Sequence, residues 1–143
     1  MEIQKDFREL LAFFNAREVE YIIVGAYALA FHGVPRFTGD IAIYVRPSRE
    51  NAKKILLALT DFGFGFLGLT ENDFMYPEKV IQRGVPPVRI DIMTSITGIS
   101  WNEAETGKVQ GMYGDVPVPF LGKMQYIANK RATGREKDLA DLE

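Results

Sequence analysis

The chain has 143 residues, of which 47 % are hydrophobic, and 17 Lys+Arg against 19 Asp+Glu leave a net charge of −2. That length makes one domain, residues 1–143, the default, with enough apolar material for a core, while the charge gives no broad electrostatic case for nucleic-acid binding. The lack of cysteine removes disulfides and thiolate zinc sites, and no run approaches the roughly 20 apolar residues of a membrane span or the apolar stretch of a signal peptide, so a soluble, cytoplasmic protein without a membrane partner is expected.

Residues 3–16 have helical spacing. Ile3, Phe7, Leu10, Leu11 and Phe14 recur at threes and fours, with Lys5, Asp6, Arg8 and Glu9 on the opposite face. Tyr21 to Val24 is short, apolar and rich in β-branched residues, and reads as a buried strand bounded by Gly25. Ala26 to Phe31 suits a short, tightly packed helix, which Gly33 is placed to end and Pro35 keeps from continuing. Asp40 to Val45 alternates: Ile41, Ile43 and Val45 face one side, Asp40, Ala42 and Tyr44 the other. Ser48 is the N-cap of a helix from Arg49 to Phe62, whose apolar set is Ala52, Ile55, Leu56 and Leu59.

The glycine-rich GFGFLGL that follows reads as a turn and a short strand, and Asn72 to Arg83 as either a helix or a surface loop. PVRIDIMT, residues 87–94, repeats the alternation, with Val88, Ile90 and Ile92 against Arg89, Asp91 and Met93. Lys108 to Phe120 reads as a hairpin with Gly114-Asp115 at its turn. Leu121 to Ala132 reads as a helix with Met124, Ile127 and Ala128 inward, ahead of a mixed-charge C-terminal run.

Val24 to Val45 carries the chemistry. A glycine turn leading into a helix presents backbone N–H groups and the positive helix end to an anion, and a carboxylate on a neighbouring strand is a candidate metal ligand. Asp40 and Asp91 each sit among branched apolar residues, where a charge is costly unless paired, hydrogen-bonded or metal-bound. Two readings stand: the two converge on Mg²⁺, which suits hard oxygen ligands, or each caps a loop or pairs with Arg36 or Arg89. Arg36 is a bidentate phosphate contact or a plain salt bridge. His32, beside Gly33, reads as structural, and Trp101, the methionines, Phe13 and Phe14 read as core.

This stretch resembles the polymerase-beta-like nucleotidyltransferase superfamily, in particular the small bacterial AbiEii-type and minimal nucleotidyltransferases. Gly25 matches the first residue of that family's Gly-Ser or Gly-Gly pair, with Ala26 at the second, and Arg36-Phe37-Thr38-Gly39-Asp40-Ile41 matches the lead into its D-x-D. The resemblance runs from Tyr21 to Asp141 and implies an α+β fold, a nucleotidyltransferase-like mixed β-sheet flanked by helices. It implies a nucleoside triphosphate as substrate, Mg²⁺ held by Asp40 and Asp91, and Gly25, Ala26, Arg36 and Thr38 lining the nucleotide cleft. Lys130, with Arg135, Lys137, Asp138 and Asp141, fits the family's C-terminal pattern, and there the helix lysine lies near the triphosphate.

Ala42 stands where the second carboxylate of the pair belongs. Two residues apart on a strand, such carboxylates face the same metals, so alanine removes a shared ligand. The activity implied is transfer of an NMP from an NTP to a hydroxyl on RNA, a protein or a small molecule, impaired by Ala42, and members of the group act with toxin or antitoxin partners. The alternative is a non-catalytic module, antitoxin-like or regulatory, that binds nucleotide or a partner without turnover.

Overall fold

The computed structural model describes residues 3–33, 39–63, 68–85 and 88–134. Its elements run α1 (Lys5–Ala16), β1 (Tyr21–Val24), α2 (Gly25–Phe31), β2 (Asp40–Val45), α3 (Arg49–Phe62), α4 (Asn72–Met75), β3 (Val80–Arg83), β4 (Arg89–Met93), α5 (Trp101–Gly107), β5 (Val109–Tyr113), β6 (Val116–Phe120) and α6 (Lys123–Thr133). The strands form one mixed sheet in the order β3-β4-β2-β1-β6-β5. β1 is antiparallel to β2 and parallel to β6, β2 and β4 run parallel, and the β3–β4 and β5–β6 pairs are antiparallel. This is the α+β architecture, a mixed sheet flanked by helices, that the sequence implied.

The alternation in β2 and β4 sorts the sheet into two faces. Ile41, Ile43, Val45, Ile90 and Ile92 join Tyr21 and Ile23 against Phe7, Leu10, Leu11 and Phe14 of α1 and Ala52, Ile55, Ala58 and Leu59 of α3. Each buried Val, Ile, Leu or Phe among them contributes about 1.5–3 kcal/mol relative to exposure. The other face packs Ile22, Val24 and Tyr44 with Ala28 and Leu29 of α2, Trp101 and Ala104 of α5 and Tyr126 of α6. Because Asp40, Ala42, Arg89 and Asp91 belong to this second face, the first can be sealed by helices while the second stays polar at one end.

Local signals set the boundaries. Ser48 accepts from the Asn51 N–H as N-cap of α3, and Gly63, at φ +75°, ends that helix in the left-handed region. The fully buried Asn51 amide bonds the backbone of Glu20 and Arg46, tying α3 to the ends of β1 and β2. His32 holds the structural place expected of it, with Nε2 2.8 Å from the Leu121 carbonyl. The hairpin turns at Gly114-Asp115 as expected.

The structure corrects several expectations. Ile3 precedes α1 and is largely exposed. Residues 72–83 are neither one helix nor a loop but the four-residue α4 followed by edge strand β3, which closes the sheet beside β4. In α6 it is Tyr126 that turns inward, while Met124 is 72 % exposed and Ala128 faces outward. Residues 64–67 of the glycine-rich stretch lie outside the described residues. No helix among the described residues is long and apolar enough to cross a membrane.

Candidate active site

Three neighbouring strands assemble the site. Antiparallel β1 and β2 place Val24 opposite Ala42, and parallel β2 and β4 place Ala42 beside Asp91 and Asp40 beside Arg89. Residues in register share a face, so Asp40, Ala42, Arg89 and Asp91 form one patch on the second face. The chain leaves β1 directly into α2 at Gly25, whose φ of +69° disfavours any side chain. A Cβ built on Gly25 lies 3.3 Å from the Ala42 Cβ. The glycine turn therefore lies directly against Ala42. The close approach of the Gly25 backbone to Ala42 is one that a side chain at position 25 would crowd. Helix α2 has only seven residues, so the pull of its N-terminus on an anion comes mainly from the first free N–H groups rather than from a long dipole.

Asp40 and Asp91 share one face of neighbouring strands, Asp40 in register with Arg89 and Asp91 two residues further along β4. Asp91 is buried, at 7 % exposure. Burial is the main cause that raises its pKa above the ordinary carboxylate value; the Arg89 guanidinium opposes the rise and Asp40 adds to it. Arg89 Nε donates to Asp91 Oδ1 at 3.0 Å and Nη2 to Oδ2 at 3.2 Å, a two-pronged ion pair engaging both oxygens. Asp91 and Asp40 both raise the Arg89 pKa, chiefly through the hydrogen bonds that Arg89 donates to Asp91. The salt-bridge partner that the sequence offered for Asp91 is thus present in the structure.

Beside the patch lies a cleft of about 580 Å³ lined by Gly25, Ala42, Met93, Ser95, Thr97, Asn129 and Lys130, among others. Lys130 Nζ sits 5.5 Å from the Tyr126 ring centroid, which steadies the ammonium along the cleft wall. Asn129 Nδ2 donates to the Thr97 carbonyl at 2.8 Å, fastening α6 to the loop after β4. Gly25, Ala42 and Lys130 therefore line one cleft, and Ala26 follows Gly25 in the first turn of α2. Arg36 and Thr38, and with them Arg135, Lys137, Asp138 and Asp141, lie outside the described residues.

Glu78, Ser95, Thr97 and Asn129 line the cleft without having been singled out in the sequence. Their only sequence signal is polarity in loops and at a helix end. Glu78 also carries a positive φ of +67°, unusual for a residue with a side chain, and its N–H is held by Ser95 Oγ at 3.0 Å.

Magnesium accepts one or two carboxylates when phosphates and water complete its shell. Asp40 and Asp91 are the two carboxylates of this patch that could contribute to such a shell. Among the described residues no cluster of three or more His, Cys, Asp or Glu side chains is arranged to hold a metal by itself.

No protein-family model and no curated protein matches this chain. Among solved structures, the chain is similar to a Thermotoga maritima protein whose crystal structure is described as that of a "putative nucleotidyltransferase (TM1012)". The two share 17 % identity with a TM-score of 0.66 over 99 % of this chain and 92 % of the other. At that identity the likeness carries the fold: the chain has a nucleotidyltransferase-like fold.

Proposed function

We propose that this chain handles a nucleoside triphosphate at the Gly25–Asp40–Asp91 face, with the chemistry of the small AbiEii-type and minimal nucleotidyltransferases. Its reaction is transfer of an NMP to a hydroxyl on RNA, a protein or a small molecule, and Ala42 impairs it. The observation that carries this reading is the convergence of Asp40, Asp91 and position 42 on one patch, with Gly25 over Ala42 and Lys130 on the same cleft. Asp40 and Asp91 would hold Mg²⁺, which when bound supplies charge neutralisation for the triphosphate and activation of the attacking hydroxyl. Lys130 offers a positive charge to the phosphates, and the bare Gly25 backbone lets them approach closely. Arg36 and Thr38 are proposed to flank the same nucleotide. At Ala42 the pair's second carboxylate would have shared the ion. No covalent intermediate is needed, since such transfer rests on positioning and electrostatics.

A second reading is favoured by Arg89. With both Asp91 oxygens engaged and Ala42 uncharged, the same cleft serves as a nucleotide- or partner-binding module, antitoxin-like or regulatory, without turnover. The variant Ala42→Asp separates the two when assayed for transfer of labelled nucleotide from each NTP with Mg²⁺. A gain of transfer over the parent supports an impaired enzyme. No gain removes it and leaves the binding module.

A further inference from the structure

We propose that Arg89 is the resident cation of the Asp40–Asp91 pair, and that a divalent ion takes this site only by displacing its guanidinium. The proposal builds on the nucleotidyltransferase reading for the identity of the incoming ion, but its basis is the pair itself. Two carboxylates on one face of adjacent strands, one of them buried, disfavour each other unless a positive charge lies close by. Arg89 supplies that charge from the same face. It is two residues before Asp91 on β4 and in register with Asp40 on β2.

Its contact is geometrically specific. Nε and Nη2 meet Oδ1 and Oδ2 at 3.0 and 3.2 Å, so one planar fork spans the whole carboxylate edge. A magnesium ion bonds its oxygens at about 2.1 Å, and the fork and the ion cannot occupy the same edge together. At position 42, methyl replaces the one group that would add negative charge and tilt the competition toward the metal.

The displaced guanidinium then needs an anion. A triphosphate entering the neighbouring cleft provides one, since arginine binds phosphate with the same two-pronged geometry. The pair is thereby suited to exchange: with metal and phosphate both present, Arg89 would move from Asp91 to phosphate, and Asp40 and Asp91 would hold the ion. Metal alone, bringing no anion for Arg89, binds weakly.

The test omits nucleotide, so its outcome is separate from that of the transfer reading. Manganese(II) is titrated into the full chain, Arg89→Gln and Arg89→Lys, and the free ion is followed by electron paramagnetic resonance at mildly alkaline pH. Arg89→Gln is expected to bind Mn²⁺ at least about tenfold more tightly than the parent, because the ion no longer breaks a charge-assisted fork. Arg89→Lys, which keeps the charge and loses the fork, is expected to fall between them, and it carries the comparison should the glutamine variant not fold. Tightened binding that disappears on adding Asp91→Asn locates the ion at this pair. Binding unchanged or weaker in the folded arginine variants overturns the proposal.

Discussion

Replacing Ala42 by aspartate puts a third carboxylate beside Asp91 and on the same face as Asp40. Ala42 is beside Asp91 in the parallel β2–β4 ladder, and neighbouring strands lie about 5 Å apart. At that separation and an effective dielectric near 20, one pair of like charges costs about 3 kcal/mol. Arg89 lies against Asp91 and offsets part of this, and the cleft beside Ala42 admits solvent, so a net loss of about 1–2 kcal/mol is expected with chelator present. Urea unfolding of parent and Ala42→Asp, in EDTA and then in millimolar Mg²⁺ or Mn²⁺, reads the effect. The variant is expected to be less stable than the parent in EDTA and to regain most of the loss with the divalent ion, because binding to the folded state alone stabilises it by mass action. Parent and variant of equal stability in EDTA would refute the shared patch, and a loss that no divalent ion relieves would refute its metal-binding character.

Three further outcomes follow from the same geometry. Gly25→Ala is expected to cost about 1–2 kcal/mol by chemical denaturation, combining a left-handed backbone at φ +69° with a Cβ only 3.3 Å from that of Ala42; trimming the neighbour with Ala42→Gly should return only the steric part, the backbone part remaining. Lys130→Ala is expected to weaken NTP binding by several-fold and flatten its salt dependence, with a change in stability within about 1 kcal/mol, the scale of its contact with Tyr126. The pH dependence has a sign set by burial. Because the folded-state pKa of Asp91 is raised, the stability it contributes is complete below its unfolded value of about 3.8 and is lost as pH rises through the raised value. The urea midpoint of Asp91→Asn should therefore gain on the parent between acid and neutral pH, and movement the other way would mean that Arg89 outweighs burial. Asp61 and Asp115 act in the opposite sense. Arg17 and Arg8 hold their pKa values down, so their contribution is present above about 3.8 and fades as pH falls through the depressed values.

Much of the fold could be read because it is local. Period-two alternation in β2 and β4 assigned the faces of Ile41, Ile43, Ile90 and Ile92 before any pairing was known, and Ser48 marked the start of α3 by its side-chain oxygen. What was missed needed neighbours. Edge strand β3 has exposed Val80 and half-covered Ile81, with no continuous apolar run to announce it. Helix α5 had a readable start in the Ser100–Glu103 capping box, each side chain bonding the other's backbone N–H, but its seven residues are too few for periodicity to speak. In α6 the apolar residues alone suggested Met124 as an inward residue, whereas the sheet's second face takes the larger Tyr126.

The site divides in the same way. Asp40, Asp91 and Gly25 were each visible as chemistry-bearing residues, and Lys130 and position 42 were visible only by resemblance. That Asp91 is engaged by Arg89 on both oxygens was one of two options in the sequence, because an R-x-D spacing on a strand puts both side chains on one face whether or not a metal follows. The cleft contributions of Glu78, Ser95, Thr97 and Asn129 come from three separate segments, and only the packing of α6 against the loop after β4 gathers them.

The most direct test of the nucleotide-handling face is calorimetric titration of each NTP, with and without Mg²⁺, into the parent chain and the double variant Asp40→Asn/Asp91→Asn. Saturable binding of at least one NTP that is strengthened by Mg²⁺ in the parent and loses that strengthening in the double variant is the predicted result. A parent that binds no NTP, or a folded double variant whose Mg²⁺-dependent binding matches the parent's, would contradict it.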